Sequence, residues 1–94
     1  MRTFDGRQLT AARALADLTM IKLAEAAGVT GRTVNRLELG GVLHVAPKMR
    51  HGHISLEVWS KITGALAQHG VELIPEDDDR GAGARYVLPR ARRG

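Results

Sequence analysis

Apolar residues return along this chain in two rhythms, and the places where the rhythm breaks mark its elements. Leu9, Ala12, Leu15 and Ala16 recur at spacings of three and four, the single stripe of an amphipathic helix. Asp5 precedes them, with Gln8 three residues on as in a capping box, so a first helix is expected over 6–17. Residues 1–5 are expected to be loose. Thr19 can cap a second helix whose inward stripe is Leu23, Ala24 and Ala27. Gly28 then permits a left-handed helix end at no steric cost. Val29 plugs the turn, and Thr30 caps a third helix over 30–39. Val34 and Leu37 point inward until Gly40-Gly41 stops that helix.

The pattern is least regular over 40–53. Two glycines open it, Pro47 interrupts it and Gly52 stands between two histidines, so a loop with at most one helical turn is expected there. Ser55 can cap a fourth helix over 55–69, with Leu56, Trp59, Ile62, Ala65 and Leu66 as its buried stripe. After Gly70 the period falls to two. Val71 to Ile74 reads as a strand, and Arg85 to Leu88 as a second. Between them lies a polar, glycine-containing turn, so 71–88 is expected to be a β-hairpin. The tail 89–94 is basic and expected to be flexible.

Composition narrows the class. Ninety-four residues suit a single domain, with 6–69 as a helical core and the hairpin appended to it. Phe4, Trp59 and Tyr86 are the only aromatic residues, so the core must be built of small and aliphatic side chains, which favours helices. There is no cysteine, which removes disulfides and thiolate metal sites and suits a reducing cytoplasm. No apolar run approaches the ~20 residues of a membrane span, and the polar N-terminus lacks a secretory segment. The formal net charge of +4 favours a polyanionic partner.

The residues from Leu9 to Gly40 resemble the XRE, or lambda-repressor-like, family of small prokaryotic and phage regulators. The resemblance is carried by Leu23-Ala24, Ala27-Gly28-Val29, Thr33-Val34 and Arg36-Leu37-Glu38 followed by Gly40. It implies a mostly α fold, a helix-turn-helix bundle of four to five helices with the C-terminal hairpin added, and the helix-turn-helix itself at 19–40. It also implies a homodimer on double-stranded DNA. Such a dimer reads a pseudo-palindromic operator with half-sites ~34–36 Å apart, most often as a repressor.

On that resemblance the third helix is the recognition helix, and Gly31, Arg32, Asn35 and Arg36 meet base edges. The chemistry agrees, since arginine can hold guanine and asparagine can hold adenine through paired hydrogen bonds. Thr30 and Thr33 fall near phosphates, and the basic stretch after the helix adds Lys48 and Arg50 as phosphate contacts. Arg13 and Glu38 occupy the places of a partly buried ion pair that is architectural in the family. One position departs from the pattern. Met20 stands where most members carry a polar residue that bonds a phosphate, and Ile21 beside it is apolar too. Either the two mark a contact with a second regulatory protein, or Met20 packs back on Leu43 or Val45. The alternative function is therefore a protein-binding regulator, antiactivator or antitoxin-like, on the same scaffold.

Other chemistries find little support. His44, His51, His53 and His69 do not offer three or four ligands at a zinc-site spacing, and Asp77-Asp78-Asp79 lacks the spaced oxygens of a calcium loop. No phosphate-binding glycine loop or nucleophile elbow is present. No cofactor, metal or enzymatic activity is expected.

Overall fold

The computed structural model describes residues 3–48, 52–77 and 79–87. It contains four helices and two small sheets. Strand β1 (Thr3–Asp5) leads into α1 (Gly6–Leu15), followed by α2 (Met20–Ala27) and α3 (Gly31–Leu39). Then come β2 (Val42–Ala46), β3 (His53–Ser55), α4 (Leu56–Gln68), β4 (Val71–Ile74) and β5 (Gly83–Tyr86). No helix among the described residues is long and apolar enough to cross a membrane.

Each helix begins on the cap its sequence offers. Asp5 accepts from the Arg7 amide, and the Gln8 side chain returns to the Asp5 amide at 2.9 Å, completing the capping box. Thr19, Thr30 and Ser55 accept from the amides of Lys22, Thr33 and Val58. Gly28 closes α2 at φ 71°, a left-handed conformation that a side chain would resist. The first helix ends earlier than its apolar pattern suggested, at Leu15. Asp17 turns the chain at φ 58°, with the Leu18 amide bonded to the Arg13 carbonyl.

Two segments differ from the sequence expectation. Residues 3–5 are a strand rather than a loose end, because Phe4 is a fully buried core residue. The expected loop at 40–53 carries β2 and β3. Leu43 faces inward between exposed Val42 and His44, an alternation that the neighbouring glycines and Pro47 mask in the sequence. β2 pairs antiparallel with β1 and parallel with β3, giving the order β1-β2-β3. The parallel pair needs little crossover because only three positions are matched, His44 to Ala46 with His53 to Ser55.

The hairpin forms from β4 and β5 with Val71 opposite Tyr86, two residues upstream of the expected second strand. Leu88 and the tail 89–94 lie outside the described residues. Gln8 ties the hairpin to α1, since its buried amide donates to the Ile74 and Gly83 carbonyls at 2.9 and 3.1 Å. Leu56, expected in the buried stripe of α4, is 55% exposed. It stands six residues before Ile62 and so about 120° round the helix from it.

One core joins the helices and both sheets. Leu9, Leu23, Val34, Leu37, Ile54, Ile62, Leu66 and Val71 are fully buried, and Phe4 meets Trp59 edge to face at 5.1 Å. Each aliphatic side chain buried in this way contributes ~1.5–3 kcal/mol. Small Ala24 and Ala27 let α2 lie close on its neighbours.

Candidate nucleic-acid interface

The surface of interest is built on α3 and held from behind by α1. In α3, Val34, Leu37 and Glu38 are buried, so the helix fixes its inward face on the core. The opposite face is then open by geometry alone. Arg32, Asn35 and Arg36 are exposed, and Gly31 and Thr33 are half-buried. Arg32 and Arg36 are one turn apart and project together, with Asn35 beside them. A Cβ built on Gly31 would meet nothing within 4 Å. The fold therefore does not demand glycine there.

The angle of α3 is set by its buried glutamate. Arg13 on α1 donates to both Glu38 oxygens, Nε to Oε2 at 2.8 Å and Nη2 to Oε1 at 3.1 Å. Thr10 donates to Oε1 at 2.9 Å. A further bond from Arg13 Nη1 to the Leu18 carbonyl reaches the link between α1 and α2. The hydrogen bonds to Glu38 raise the Arg13 pKa above its ordinary value. The ion pair expected between Arg13 and Glu38 is thus present, as a clasp that fixes the last turn of α3.

The remaining sites fall as follows. Thr30 is exposed, but its hydroxyl is engaged, accepting from the Thr33 amide at 3.1 Å and lying 2.9 Å from the Thr33 hydroxyl. Lys48 is exposed just beyond the end of β2, and Arg50 lies outside the described residues. Met20 is half-buried and packs against the core, whereas Ile21 beside it is 67% exposed. The two apolar residues therefore part company, with only Ile21 facing out. His44 and His53 are neighbours across β2 and β3, with ring centroids 5.8 Å apart, and His51 lies outside the described residues. Among the described residues no group of three or more histidine or acidic side chains is placed to hold a metal ion. Asp77 accepts from the amides of Asp79 and Arg80, so it caps the hairpin turn, and Asp78 lies outside the described residues.

Charge is divided unevenly over the molecule. Arg7, Arg13, Lys61 and Arg85 each hold a carboxylate, at 3.0, 2.8, 3.1 and 2.6 Å. Among the described residues Lys22, Arg32, Arg36, Lys48 and Arg80 hold none. Four of these five lie on α2, on α3 and just past the end of β2. Lys22 is a member of this set that the sequence pattern did not single out. Its signal is its place in the first turn of α2, off the Leu23–Ala27 stripe.

A cleft of about 360 Å³ lies elsewhere, between β1, α1 and the hairpin turn, and its ionisable lining is Asp5, Arg7 and Glu76. Asp5 and Arg7 are bonded to each other there. No protein-family model matches the chain, and no curated protein matches it in sequence.

Proposed function

We propose that the chain is a sequence-specific DNA-binding transcriptional regulator of the lambda-repressor-like helix-turn-helix kind. In this reading α2, the Gly28 turn and α3 form the helix-turn-helix, and α3 enters the major groove. The observation that carries it is the exposed cation set without carboxylate partners, Lys22, Arg32 and Arg36 on this unit and Lys48 just past β2, whereas Arg80 is the one other such cation among the described residues. Solvated, unpaired lysine and arginine are what a phosphate backbone neutralises. Arg32, Asn35 and Arg36 add the donor and acceptor patterns that distinguish guanine and adenine. Such a regulator works as a homodimer in the cytoplasm, with two α3 helices on half-sites one DNA turn apart. Repression follows from occupying a promoter.

A second reading is favoured by Ile21. It stands 67% exposed at the start of α2, beside Met20, which takes the place of the polar phosphate anchor that the resemblance implies. A protein-binding regulator would use it as an anchor for another regulatory protein.

Selection of binding sites from a pool of random double-stranded DNA separates the two. The first reading expects an enriched sequence with two related halves, and loss of that enrichment in Arg32→Ala and Arg36→Ala at unchanged stability. Enrichment of nothing, or variants that bind like the wild type, favours the protein-binding regulator.

A further inference from the structure

Helix α4 has two faces of different character. Ile62, Ala65 and Leu66 hold it on the core. On the opposite face Leu56, Ser60 and Gly64 stand at i, i+4 and i+8, one exposed row along the helix. Two of these positions are unfavourable in the chain by itself. Leu56 leaves 55% of its surface open. Gly64 stands in the helix interior, where glycine is less favourable than alanine. A Cβ built there would meet nothing within 4 Å, so no neighbour within the chain calls for glycine. Beside the row lies a pair of opposite charge, Glu57 and Lys61, 3.1 Å apart and both open to solvent.

We propose that this face of α4 is the two-fold interface between two copies of the chain, in which Leu56 of each copy fills the gap over Gly64 of the other. The inference rests on the homodimeric DNA reading, which needs a two-fold contact and does not say where it lies. In such a contact one patch serves on both copies and must be complementary to itself. The α4 face meets that condition about an axis at Ser60. Leu56 precedes Ser60 by four residues and Gly64 follows it by four, ~6 Å either way at ~1.5 Å per residue. Two α4 helices laid antiparallel across that axis bring Leu56 level with Gly64 on both sides, a large side chain over a missing one. Ser60 meets Ser60 at the centre. The charges agree with the same axis. Rotation about it keeps the Glu57 and Lys61 flanks together on one side of the contact. The Glu57 carboxylate of one copy then comes beside the Lys61 ammonium of the other, and the four charges alternate. A parallel pair would instead set Leu56 against Leu56 and Glu57 against Glu57.

The chain has no cysteine, so a single one introduced into it reports one contact. Ser60→Cys is expected to oxidise to a covalent dimer, since a disulfide needs Cα atoms ~4.4–6.8 Å apart and the axis brings the two copies of residue 60 together. Glu25→Cys, exposed on α2, is the control and is expected to stay monomeric under the same oxidant. Sedimentation equilibrium without DNA is the second measurement. The wild-type chain is expected to approach twice the mass of one chain as its concentration rises. Gly64→Leu adds a side chain where the chain itself has room, so it should melt no lower than the wild type and yet keep the single mass. Glu57→Lys should lose the dimer, and Glu57→Lys with Lys61→Glu should regain it. A wild-type chain of single mass at every concentration, a Ser60→Cys chain that cross-links no faster than Glu25→Cys, or a Gly64→Leu chain that dimerises like the wild type overturns the interface. No DNA is present in these measurements, so such a result leaves the reading of α3 standing, and that reading fails separately if the chain selects no DNA sequence.

Discussion

Gly6 and Leu37 approach so closely that a Cβ built on Gly6 would lie 2.2 Å from the Leu37 carbonyl oxygen. The Glu38 carbonyl oxygen would be 2.6 Å away, and both are backbone atoms that cannot swing aside. The Gly6 amide also donates to the Gly41 carbonyl at 2.9 Å. The first residue of α1 is thus wedged against the last turn of α3, and glycine is what lets it fit.

Gly6→Ala must therefore push α1 away from α3. Overpacking of this kind costs ~1–3 kcal/mol, and with backbone on the far side the upper end is expected. Chemical denaturation measures it. A variant as stable as the wild type would show that the two helices do not meet in this way.

The clasp between Arg13 and Glu38 makes a second, separable prediction. The Glu38 side chain is 4% exposed and that of Arg13 21%. Arg13→Ala leaves a buried carboxylate without its cation, expected to cost ~3 kcal/mol or more. Arg13→Ala with Glu38→Gln should recover part of the loss, since no charge is then stranded. A double-mutant cycle by denaturation gives the coupling. Additive losses would mean that the two side chains act independently.

Asp17 holds φ 58° without being glycine, and its negative charge lies at the carbonyl end of α1. Both features cost stability. Asp17→Gly is expected to raise stability by about 0.5–1 kcal/mol, read as a higher melting temperature. A lower one would contradict the left-handed turn.

The caps were legible because they are local. Asp5 with Gln8, and Thr19, Thr30 and Ser55, each act within three residues of themselves. The three-stranded sheet was not legible, because Thr3 pairs with His44 and the intervening helices carry the stronger signal. Gly6 looked like an ordinary helix start, since its need for a missing Cβ exists only once α3 is in place. Gln8 was read for its cap, while its bonds to Ile74 and Gly83 depend on a hairpin more than sixty residues away. On the candidate surface, spacing alone put Arg32, Asn35 and Arg36 on one exposed face. Which cations lack a carboxylate is a tertiary fact, and Lys22 entered only with the structure.

Acid should weaken the start of α1. The Arg7 side chain, and after it the Arg7 amide, hydrogen-bond the Asp5 carboxylate and hold its pKa below the ordinary value. A lowered folded pKa contributes stability above the unfolded pKa, and that contribution is lost as pH falls through the folded one. Wild-type stability should therefore decline as pH drops below roughly 4. Asp5→Asn keeps a capping oxygen without the charge, so its decline should be shallower. Parallel curves would remove Asp5 from the acid limb.

The central claim is that α3 and its unpaired cations neutralise DNA phosphates and read bases, and the salt dependence of DNA binding tests it most directly. For the wild-type chain on a selected site, log K is expected to fall linearly with log salt, at a slope of about −0.9 per phosphate neutralised. Lys48→Ala should reduce that slope by about one and weaken all DNA sequences alike. Arg36→Ala should instead lose ~1–3 kcal/mol of discrimination between the selected site and a scrambled one. Binding that is insensitive to salt, or an Arg36→Ala chain that discriminates as well as the wild type, would contradict it.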